Sequence, residues 1–317
     1  MLHKEQVIKH ISNSFQLAIL LEVSAPKPGN ITRTANFRNT RYEHFLASAV
    51  AVEPGLAIAA KRGIMVYEKV IGLNELFLGE VMRDSVMNIM SWQHGGNTLL
   101  GSVLLLFPLA AAAGMTLSEK EKFSIQQLRK NLRSIVRSTT SVDAVAVYET
   151  IEIFKPSGLA GKAPILDVTD PESKNKILKD NVSLFEIFKI SASYDAISRE
   201  WVENYPITFE LGLPYFNKQL SETGNLNIAI THTFLKVLSL VPDTLIARKA
   251  NLKKAQEVSD EAKKILNLGG LTTSIGREEL SKFDNDLRSQ NNRYNPGTTA
   301  DIIAAIIALT ILDGYRP

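Results

Sequence analysis

The stretch TTADIIAAIIALTIL, residues 298–312, is apolar on nearly every side when it is wound into a helix. Such a helix has to be enclosed by other helices, because no face of it suits contact with water. A second stretch, LLGSVLLLFPLAAAAGM at residues 99–115, carries no charge. It is at the short end of the roughly 17–25 residues that cross a bilayer, and no basic cluster or aromatic belt flanks it. Both stretches therefore predict central helices buried inside a helical protein.

Helical spacing also dominates the rest of the chain. Apolar residues recur every three or four positions along residues 8–19 and 252–266, as on one face of a helix. The best strand candidate, KAPILDVTD at residues 162–170, follows the Pro/Gly-containing segment KPSGLAG and is interpreted as a loop with an extended piece. That loop is too short to mark a domain boundary. We predict a single all-α domain over residues 1–317, with buried central helices.

Composition excludes several classes of function. The chain has no cysteine, so disulfides, thiolate catalysis and Cys-based zinc sites are excluded. Its net charge of +3 suits phosphorylated ligands but is far from that of a nucleic-acid-binding protein. The sequence contains no GxxxxGK[ST], HExxH or GxSxG motif, and no GxGxxG after a strand. The N-terminal residues lack the apolar region of a signal peptide, so we expect a cytoplasmic protein without a membrane or nucleic-acid partner.

Four segments share one pattern, in which a polar or Gly/Pro-containing break precedes an apolar helix. The start of a helix presents unpaired N–H groups and a partial positive charge, which suits a phosphate group. We therefore examine these breaks as candidate ligand sites. They are APKPGN (25–30), QHGGNTLLG (93–101), VPDTLIARK (241–249) and NNRYNPGTTADIIA (291–304).

The first break is a stiff elbow, a name kept below for residues 25–30. Pro26 and Pro28 fix their own φ angles and push the preceding residues toward extended geometry. Gly29 permits backbone angles or close approaches that a side chain would forbid. We expect this stiff turn to aim an exposed Lys27 amine in a fixed direction.

The last break contains a candidate site for phosphate and metal. Asn295 is predicted to be the N-cap and Pro296 the first helical residue, while Gly297 leaves the backbone uncovered and Thr298 follows it. A carboxylate one turn later, Asp301, would lie beside a bound phosphate, which makes chemical sense if Mg²⁺ joins the two. The simpler alternative is a well-capped helix in which Asp301 complements the helix dipole.

The two middle breaks and the segment around residue 284 supply further candidates. Asn97 and Thr98 could cap a helix or contact a ligand, although a Gly-Gly pair is usually just a turn. Asp243 is a natural N-cap, with Arg248 following about one turn later. Carboxylates from several helices can converge in a helical core and hold a metal. For the segment KFDNDLRSQNNR, the simplest interpretation is a surface salt bridge between residues 284 and 288; its candidate acids are Asp284 and Asp286.

These segments, in this order, resemble the triphosphoribosyl-dephospho-coenzyme A synthase family over nearly the whole chain. Its members are all-helical and transfer a triphosphoribosyl unit from ATP to the 2′-hydroxyl of dephospho-CoA, with release of adenine. The family pattern is a Glu-Val segment before Pro-Lys-Pro-Gly, then Gly-x-Asn-Thr-His-Lys-Gly, Asp-Thr-Asn with an arginine, and an Asp before Ser-Pro-Gly-Gly-Ser-Ala-Asp. The matching segments here are EV and PKPG (22–29), GGNTLLG (95–101), DTLIAR (243–248), and Asp284 or Asp286 followed by NPGTTAD (295–301).

The chain departs from the family pattern at informative positions. Leu99 and Leu100 stand where the family has His-Lys, and Leu245 stands where it has Asn. The family's His and Asp after the first elbow have no clear match in RNTRYEHF, residues 38–45. Losing an imidazole and an amine from a phosphate site should change the acceptor, the phosphate chain or the reaction, so the chain resembles a divergent branch.

The resemblance implies a Mg²⁺-dependent transferase that uses ATP and a coenzyme-like acceptor. It implies phosphate or nucleotide binding by Lys27, Gly29, Asn97, Thr98, Arg248, Asn295, Gly297 and Thr298. It implies catalytic or metal roles for Asp243, Asp284, Asp286 and Asp301, with Asp243 and Asp301 as the metal ligands. Two alternatives stay open: another ATP- and Mg²⁺-dependent transfer, such as phosphorylation, and a non-catalytic nucleotide- or coenzyme-binding protein. The sequence leaves the acceptor and the oligomeric state open.

Overall fold

The computed structural model describes residues 4–119, 123–156 and 163–317. These residues form fifteen α-helices and no strand; an isolated bridge between Thr32 and Ala35 is the nearest approach to sheet pairing among them. The predicted all-α fold is confirmed. The helices are α1 (Lys4–Ser24), α2 (Tyr42–Tyr67), α3 (Leu78–Trp92), α4 (Leu100–Glu119), α5 (Ile125–Arg137), α6 (Ser141–Phe154), α7 (Ser173–Lys179), α8 (Leu184–Ser191), α9 (Ala196–Val202), α10 (Leu213–Thr223), α11 (Leu226–Leu240), α12 (Thr244–Lys249), α13 (Leu252–Asn267), α14 (Ser274–Arg288) and α15 (Gly297–Leu312).

Two central helices, α4 and α15, organise the core. Helix α4 packs against α1, α2, α5 and α15, and α15 packs in turn against α1, α10 and α11. Residues 103–113 of α4 and 302–312 of α15 are buried throughout. Helix α4 is long and apolar enough to cross a membrane, but 78% of its apolar window is buried inside the protein. Because neighbouring helices cover every side, the predicted burial of both apolar stretches is confirmed.

The start of α15 differs slightly from the predicted one. Pro296 occupies the cap position and Gly297 is the first helical residue. The Asn295 side chain does not cap the helix; its amide donates to the Gly29 carbonyl at 2.8 Å and to Asn30 Oδ1 at 3.0 Å. The last break therefore contacts the elbow, which is more than 260 residues away in sequence.

The candidate strand is a loop with turns over residues 163–170, and residue 162 lies outside the described residues. The segment KPSGLAG is described only at residues 155 and 156. This loop passes beside α6, whose Tyr148 hydroxyl donates to the Leu166 carbonyl. The contact places the loop at the edge of the cavity described next.

Candidate active site

A cavity of about 790 Å³ lies where the four breaks meet helices α6, α8 and α9. One side, called the polar wall, is built from the end of α1, the starts of α4 and α15, and α12. The other part of the lining, called the apolar wall, comes from α6, α8, α9 and the loop 163–168. The volume falls within the range of small-molecule sites. The polar wall includes Glu22, Asn30, Asn97, Thr98, Ser102, Arg248, Lys249, Asn295, Thr298 and Asp301, and the apolar wall includes Tyr148, Ile151, Phe154, Ile165, Leu166, Ile187, Phe188, Ile190 and Ile197.

The cavity separates the sequence-predicted site residues into two groups. The residues that line it are Asn97, Thr98, Arg248, Asn295, Gly297, Thr298 and Asp301. The residues that lie behind the wall or elsewhere are Lys27, Gly29, Asp243, Asp284 and Asp286. The second group includes most of the predicted acids, and their hydrogen bonds explain why.

Asp301 lies one turn into α15 and faces the start of α4. The Ser102 hydroxyl donates to Asp301 Oδ1 at 2.6 Å, and the Ser102 backbone N–H also bonds this carboxylate. A Cβ on Gly101 would lie 2.0 Å from Asp301 Oδ2, so only glycine allows this approach. Burial raises the pKa of Asp301 to about 8, and the nearby Glu22 and Asp243 carboxylates add to the rise. Asp301 thus uses about half of its acceptor capacity and faces the cavity.

Asp243 is more deeply buried than Asp301, and its carboxylate is fully occupied by donors. Its Oδ1 caps α12, accepting from Leu245 N at 2.9 Å and Ile246 N at 3.1 Å. Its Oδ2 accepts from the N–H and the hydroxyl of Thr299, both at 2.8 Å. Asp243 is therefore the predicted N-cap of α12 and also holds the start of α15. With four donors, its carboxylate has no lone pair left for a metal ion.

The other two predicted acids belong to the support of the elbow and to the surface. Asp284 Oδ1 accepts from Gly29 N at 2.7 Å, and the same carboxylate pairs with Arg288 at 2.9 Å. Arg288 in turn donates to the Asn30 carbonyl. Asp286 is exposed on α14. The residues that the structure describes contain no group of three or more His, Asp or Glu arranged to hold a metal ion, so the four predicted acids do not converge on one ion.

Gly29 is held between α14 and the start of α15. Its φ of +70° lies in the left-handed region, which favours glycine. A Cβ there would lie 2.7 Å from Leu287 Cδ1. Gly29 therefore has a clear structural role in shaping the elbow.

Lys27 is buried, and the expectation that its amine is exposed is wrong. Its side chain is 0% exposed, and its Nζ lies 3.0 Å from Glu22 Oε1. The amine also donates to the backbone carbonyls of Glu22 and Ala25. Burial lowers the pKa of Lys27 and raises that of Glu22, while their mutual attraction opposes both shifts. The elbow therefore turns its lysine inward, toward the last turn of α1.

Glu22 is the site residue that the sequence reasoning missed. It lines the cavity from α1, with a side chain that is 9% exposed. Its Oε2 has no hydrogen-bond partner in the described parts of the chain, whereas Oε1 pairs with Lys27. The available signal was its place in the Glu-Val segment immediately before the elbow, five residues from Lys27.

Basic groups lie on α12. Arg248 Nη1 is 3.7 Å from Asp195 Oδ2, a loose ion pair, and Arg248 Nε is buried without a hydrogen-bond partner. Lys249 donates to the Asn292 carbonyl at 3.1 Å, and burial together with the Arg248 charge lowers its pKa. A buried donor without a partner costs roughly 1–3 kcal/mol. An anion in the cavity could complete the bonding of Arg248.

Two apolar residues occupy the cavity wall where the family has basic ones. Leu99 and Leu100 both line the cavity at the start of α4. Asn97 Oδ1 accepts from Leu100 N at 3.1 Å, so Asn97 caps this helix, and the Thr98 hydroxyl bonds Ser48 at 2.7 Å. The start of α4 is thus capped by Asn97 and by contact with Asp301. The main cationic groups of the described cavity lining lie on α12 instead.

Comparison with known proteins supports the motif resemblance over almost the full chain. Residues 8–317 match the family described as ATP:dephospho-CoA triphosphoribosyl transferase. A 2-(5''-triphosphoribosyl)-3'-dephosphocoenzyme-A synthase from Klebsiella pneumoniae is 32% identical over 92 residues, which cover 29% of this chain and 30% of that protein. One of the same name from Escherichia fergusonii is 23% identical over 305 residues, covering 93% of this chain and 88% of that protein.

A solved structure has the same fold. The crystal structure of an Archaeoglobus fulgidus protein, described as a triphosphoribosyl-dephospho-CoA synthase, superposes with a TM-score of 0.62. The two chains are 26% identical, and the match covers 87% of this chain and all of the other. The helical architecture around the cavity is therefore shared with this relative.

Proposed function

This chain belongs to the ATP:dephospho-CoA triphosphoribosyl transferase family, and we propose that its cavity is the place where a triphosphoribosyl unit passes from ATP to a dephospho-CoA hydroxyl. The observation that carries this proposal is the composition of one cavity. It combines a partly bonded carboxylate, Asp301, with an incompletely bonded arginine, Arg248, and an extended apolar wall. Those are the groups that a metal-bound triphosphate and a long uncharged coenzyme arm require.

The triphosphate is placed against α12 and the start of α15. Arg248 and Lys249 supply positive charge, and the free donor of Arg248 Nε suits a phosphate oxygen. Gly297 and Thr298 line the cavity next to this pair. Thr299 N at the same helix start already donates to Asp243. We therefore propose that the α12 side chains and Thr298 bind the phosphate, and that the N-terminus of α15 contributes less.

Mg²⁺ fits this site through Asp301. The carboxylate is a hard oxygen donor with spare acceptor capacity. Its pKa is raised first by burial and then by the nearby Glu22 and Asp243 carboxylates, whose repulsion a bound cation would relieve. Asp243 is not proposed as a second Mg²⁺ ligand, because four hydrogen-bond donors already occupy its carboxylate oxygens. Mg²⁺ usually takes one or two carboxylates and completes its coordination with phosphate oxygens and water. When bound, it would neutralise part of the triphosphate charge.

The apolar wall is assigned to the pantetheine arm of the acceptor. ATP has no comparable uncharged chain, whereas dephospho-CoA carries a long one. Apolar side chains of α6 and α8 line the cavity there, and Leu99 and Leu100 line it at the start of α4. The leucine pair in place of His-Lys makes this end of the cavity less polar. We expect dephospho-CoA to be preferred over nucleotide acceptors that lack the arm.

The proposed reaction is a substitution at the anomeric carbon of the ATP ribose. The acceptor hydroxyl oxygen bonds to that carbon, and the bond from the carbon to the adenine nitrogen breaks. The hydroxyl proton passes to a carboxylate of the site, and the departing adenine takes up one proton at that nitrogen once the bond is broken, so the protons balance. Such substitutions pass through an oxocarbenium-like state, as glycoside cleavage does. Because the substrates are intracellular nucleotides and coenzymes, we place the reaction in the cytoplasm.

The test is to incubate the protein with ATP, Mg²⁺ and dephospho-CoA and to separate adenine, ADP and AMP by chromatography. The proposal expects free adenine in a 1:1 ratio with a triphosphoribosylated product. Release of ADP would indicate phosphorylation instead, and nucleotide binding without any release would indicate a non-catalytic binder. Arg248→Met should raise the KM for ATP by about tenfold or more, the cost of one charged hydrogen bond. Arg133→Met, at an exposed position on α5, is the matched control and should leave KM unchanged.

A further inference from the structure

We propose that Glu22 is the general base that takes the acceptor's hydroxyl proton, and that the motif lysine Lys27 is a positioning residue for it. The inference rests on the proposed function and assigns the one proton transfer left open there. In this arrangement Lys27 acts on the reaction through Glu22 and makes no contact with phosphate. The argument has three parts: the inventory of acids in the cavity, the geometry of the pair, and the surroundings of the lysine.

Four acids line the described cavity, and three of them are engaged elsewhere. Asp167 Oδ1 accepts from the N–H and hydroxyl of Thr169, and its Oδ2 accepts from Ala163 N at 3.3 Å. Asp195 caps α9 through Ser198 and pairs with Arg248. Asp301 is assigned to the metal-bound triphosphate. Glu22 is the remaining cavity acid.

The geometry of Glu22 is that of a base held ready for one proton. Its Oε1 lies 3.0 Å from Lys27 Nζ, which fixes the carboxylate plane. Its Oε2 has no partner among the described residues, and the side chain reaches the cavity. One oxygen is therefore anchored and the other is available to accept from a hydroxyl group, as general base catalysis requires.

The surroundings of Lys27 explain why a lysine is placed there. A carboxyl group as buried as Glu22 would otherwise hold its proton, and a fixed cation at contact distance favours the ionised form. Two backbone carbonyls, those of Glu22 and Ala25, accept from the same amine and hold it in place. The elbow prolines turn the chain so that the amine points back to α1. A lysine with no exposed surface cannot reach a ligand without leaving these partners.

The experiment uses four variants of the full chain: Glu22→Gln, Lys27→Met, Lys27→Arg and the double variant Glu22→Gln/Lys27→Met. Adenine release is followed with saturating ATP and dephospho-CoA, and ATP affinity is measured by calorimetry. Glu22→Gln should lower kcat by about 10²–10⁴-fold, the usual contribution of a general base, with ATP affinity within threefold of the wild type. Lys27→Met should lower kcat comparably, also without a change in ATP affinity.

Two further readouts separate positioning from a merely structural role. The double variant should be no slower than Glu22→Gln alone, because both changes disable the same unit. It also replaces a buried ion pair with neutral groups, which keeps the test usable if Lys27→Met alone fails to fold. In Lys27→Met the kcat should recover partly as pH rises, because Glu22 then ionises only at higher pH. Lys27→Arg should restore part of the activity by keeping the charge. The surface pair Lys4–Glu68 supplies the control: Glu68→Gln should leave kcat unchanged.

Several results would overturn the inference. Retention of kcat within threefold in Glu22→Gln would remove Glu22 as the base. A higher KM for ATP with unchanged kcat in Lys27→Met would show that Lys27 binds phosphate directly. A double variant far slower than either single variant would make the two residues independent. These outcomes differ from a failure of the proposed function, in which the wild-type protein itself would release no adenine.

Discussion

Asp243 and Asp301 have similar surroundings in the sequence, but their carboxylates are bonded very differently in the structure. Each follows a break at or near the start of a helix. Asp243 is buried, whereas Asp301 is partly exposed and lines the cavity. Asp243 receives four hydrogen bonds and holds two helix starts together. Asp301 is bonded by one residue, Ser102, and the rest of its carboxylate faces the cavity.

The comparison shows that burial does not identify a functional acid in this protein. The two carboxylates differ in unused hydrogen-bonding capacity: Asp301 can still accept hydrogen bonds, and Asp243 cannot. A carboxylate can accept about four hydrogen bonds, so one with four donors has nothing left for a ligand. By the same criterion, the buried Glu200 is structural, since it accepts from Ile207 N, Thr208 N and the Thr208 hydroxyl in the interior.

The largest expected effect is on catalysis, from Asp301→Asn. Turnover should fall by about 10²–10³-fold, because a charge that stabilises the bound metal and triphosphate is lost. Thermal unfolding of the ligand-free protein should be unchanged or shifted upward, since the substitution removes a crowded acid. Adenine release and calorimetric unfolding measure the two effects. A lower melting temperature with full turnover would show that Asp301 stabilises a helix start, as Asp243 does, and has no catalytic role.

The next effect is on stability, from Asp243→Ala. The free energy of unfolding should fall by roughly 1–4 kcal/mol, because two helix starts lose a cap and each cap contributes about 0.5–2 kcal/mol. Chemical denaturation measures the change. Asn225→Ala is the matched control, since Asn225 caps only α11, through one bond to Ile228 N, and should lose about half as much. If Asp243→Ala kept its stability but lost Mg²⁺-dependent turnover, Asp243 would be a metal ligand after all.

A smaller effect is expected from Ser102→Ala, which removes a hydroxyl donor to Asp301. Turnover should fall about tenfold, since a hydrogen bond to a charged group contributes about 1.5–3 kcal/mol and the Ser102 backbone donor remains. Ser118→Ala on the same helix is the control, because its hydroxyl only bonds the Gly114 carbonyl. Steady-state kinetics of both variants tests whether the Ser102 hydroxyl acts through Asp301. Equal effects would mean that Ser102 acts on α4 and not on Asp301.

The smallest effect concerns pH. The pKa of Asp301 is about 8 in the folded chain and about 3.9 in an unfolded one. Its stabilising contribution is therefore complete below about pH 4 and is lost as pH rises through 8. The melting temperature of the ligand-free wild type, relative to Asp301→Asn, should therefore fall as pH rises across this window.

The variant serves as the reference because Glu200, with a pKa raised to about 7, adds its own slope to both proteins. Differential scanning calorimetry from pH 5 to pH 9 gives the difference curve. A difference that stays flat across this range would show that Asp301 is ionised throughout, which would weaken its contrast with Asp243.

Much of the fold could be predicted from local pattern. Apolar residues at every third or fourth position predicted α1 and α13, and the two long apolar stretches predicted buried α4 and α15. These predictions worked because helical periodicity and all-round apolarity depend only on neighbouring residues. The four breaks were also found, since Gly, Pro and capping residues act within a few positions.

The roles of individual residues within the breaks could not be predicted in the same way. The sequence placed the Lys27 amine at a phosphate, but the structure buries it against Glu22. It treated Asp284 as a possible catalytic acid, whereas its carboxylate holds Gly29 in place. The donors that decide these roles come from distant segments; Gly29 and Asp284 are 255 residues apart.

The sequence by itself determined an all-helical chain with two enclosed helices, and which four segments should gather around a ligand. Only the tertiary structure decided which carboxylates are free. Asp243 meets its partner Thr299 across 56 residues, and Asp301 meets Ser102 across 199. The physical reason is that a carboxylate's availability depends on how many donors surround it. In a packed interior those donors come from whichever helices are neighbours in space.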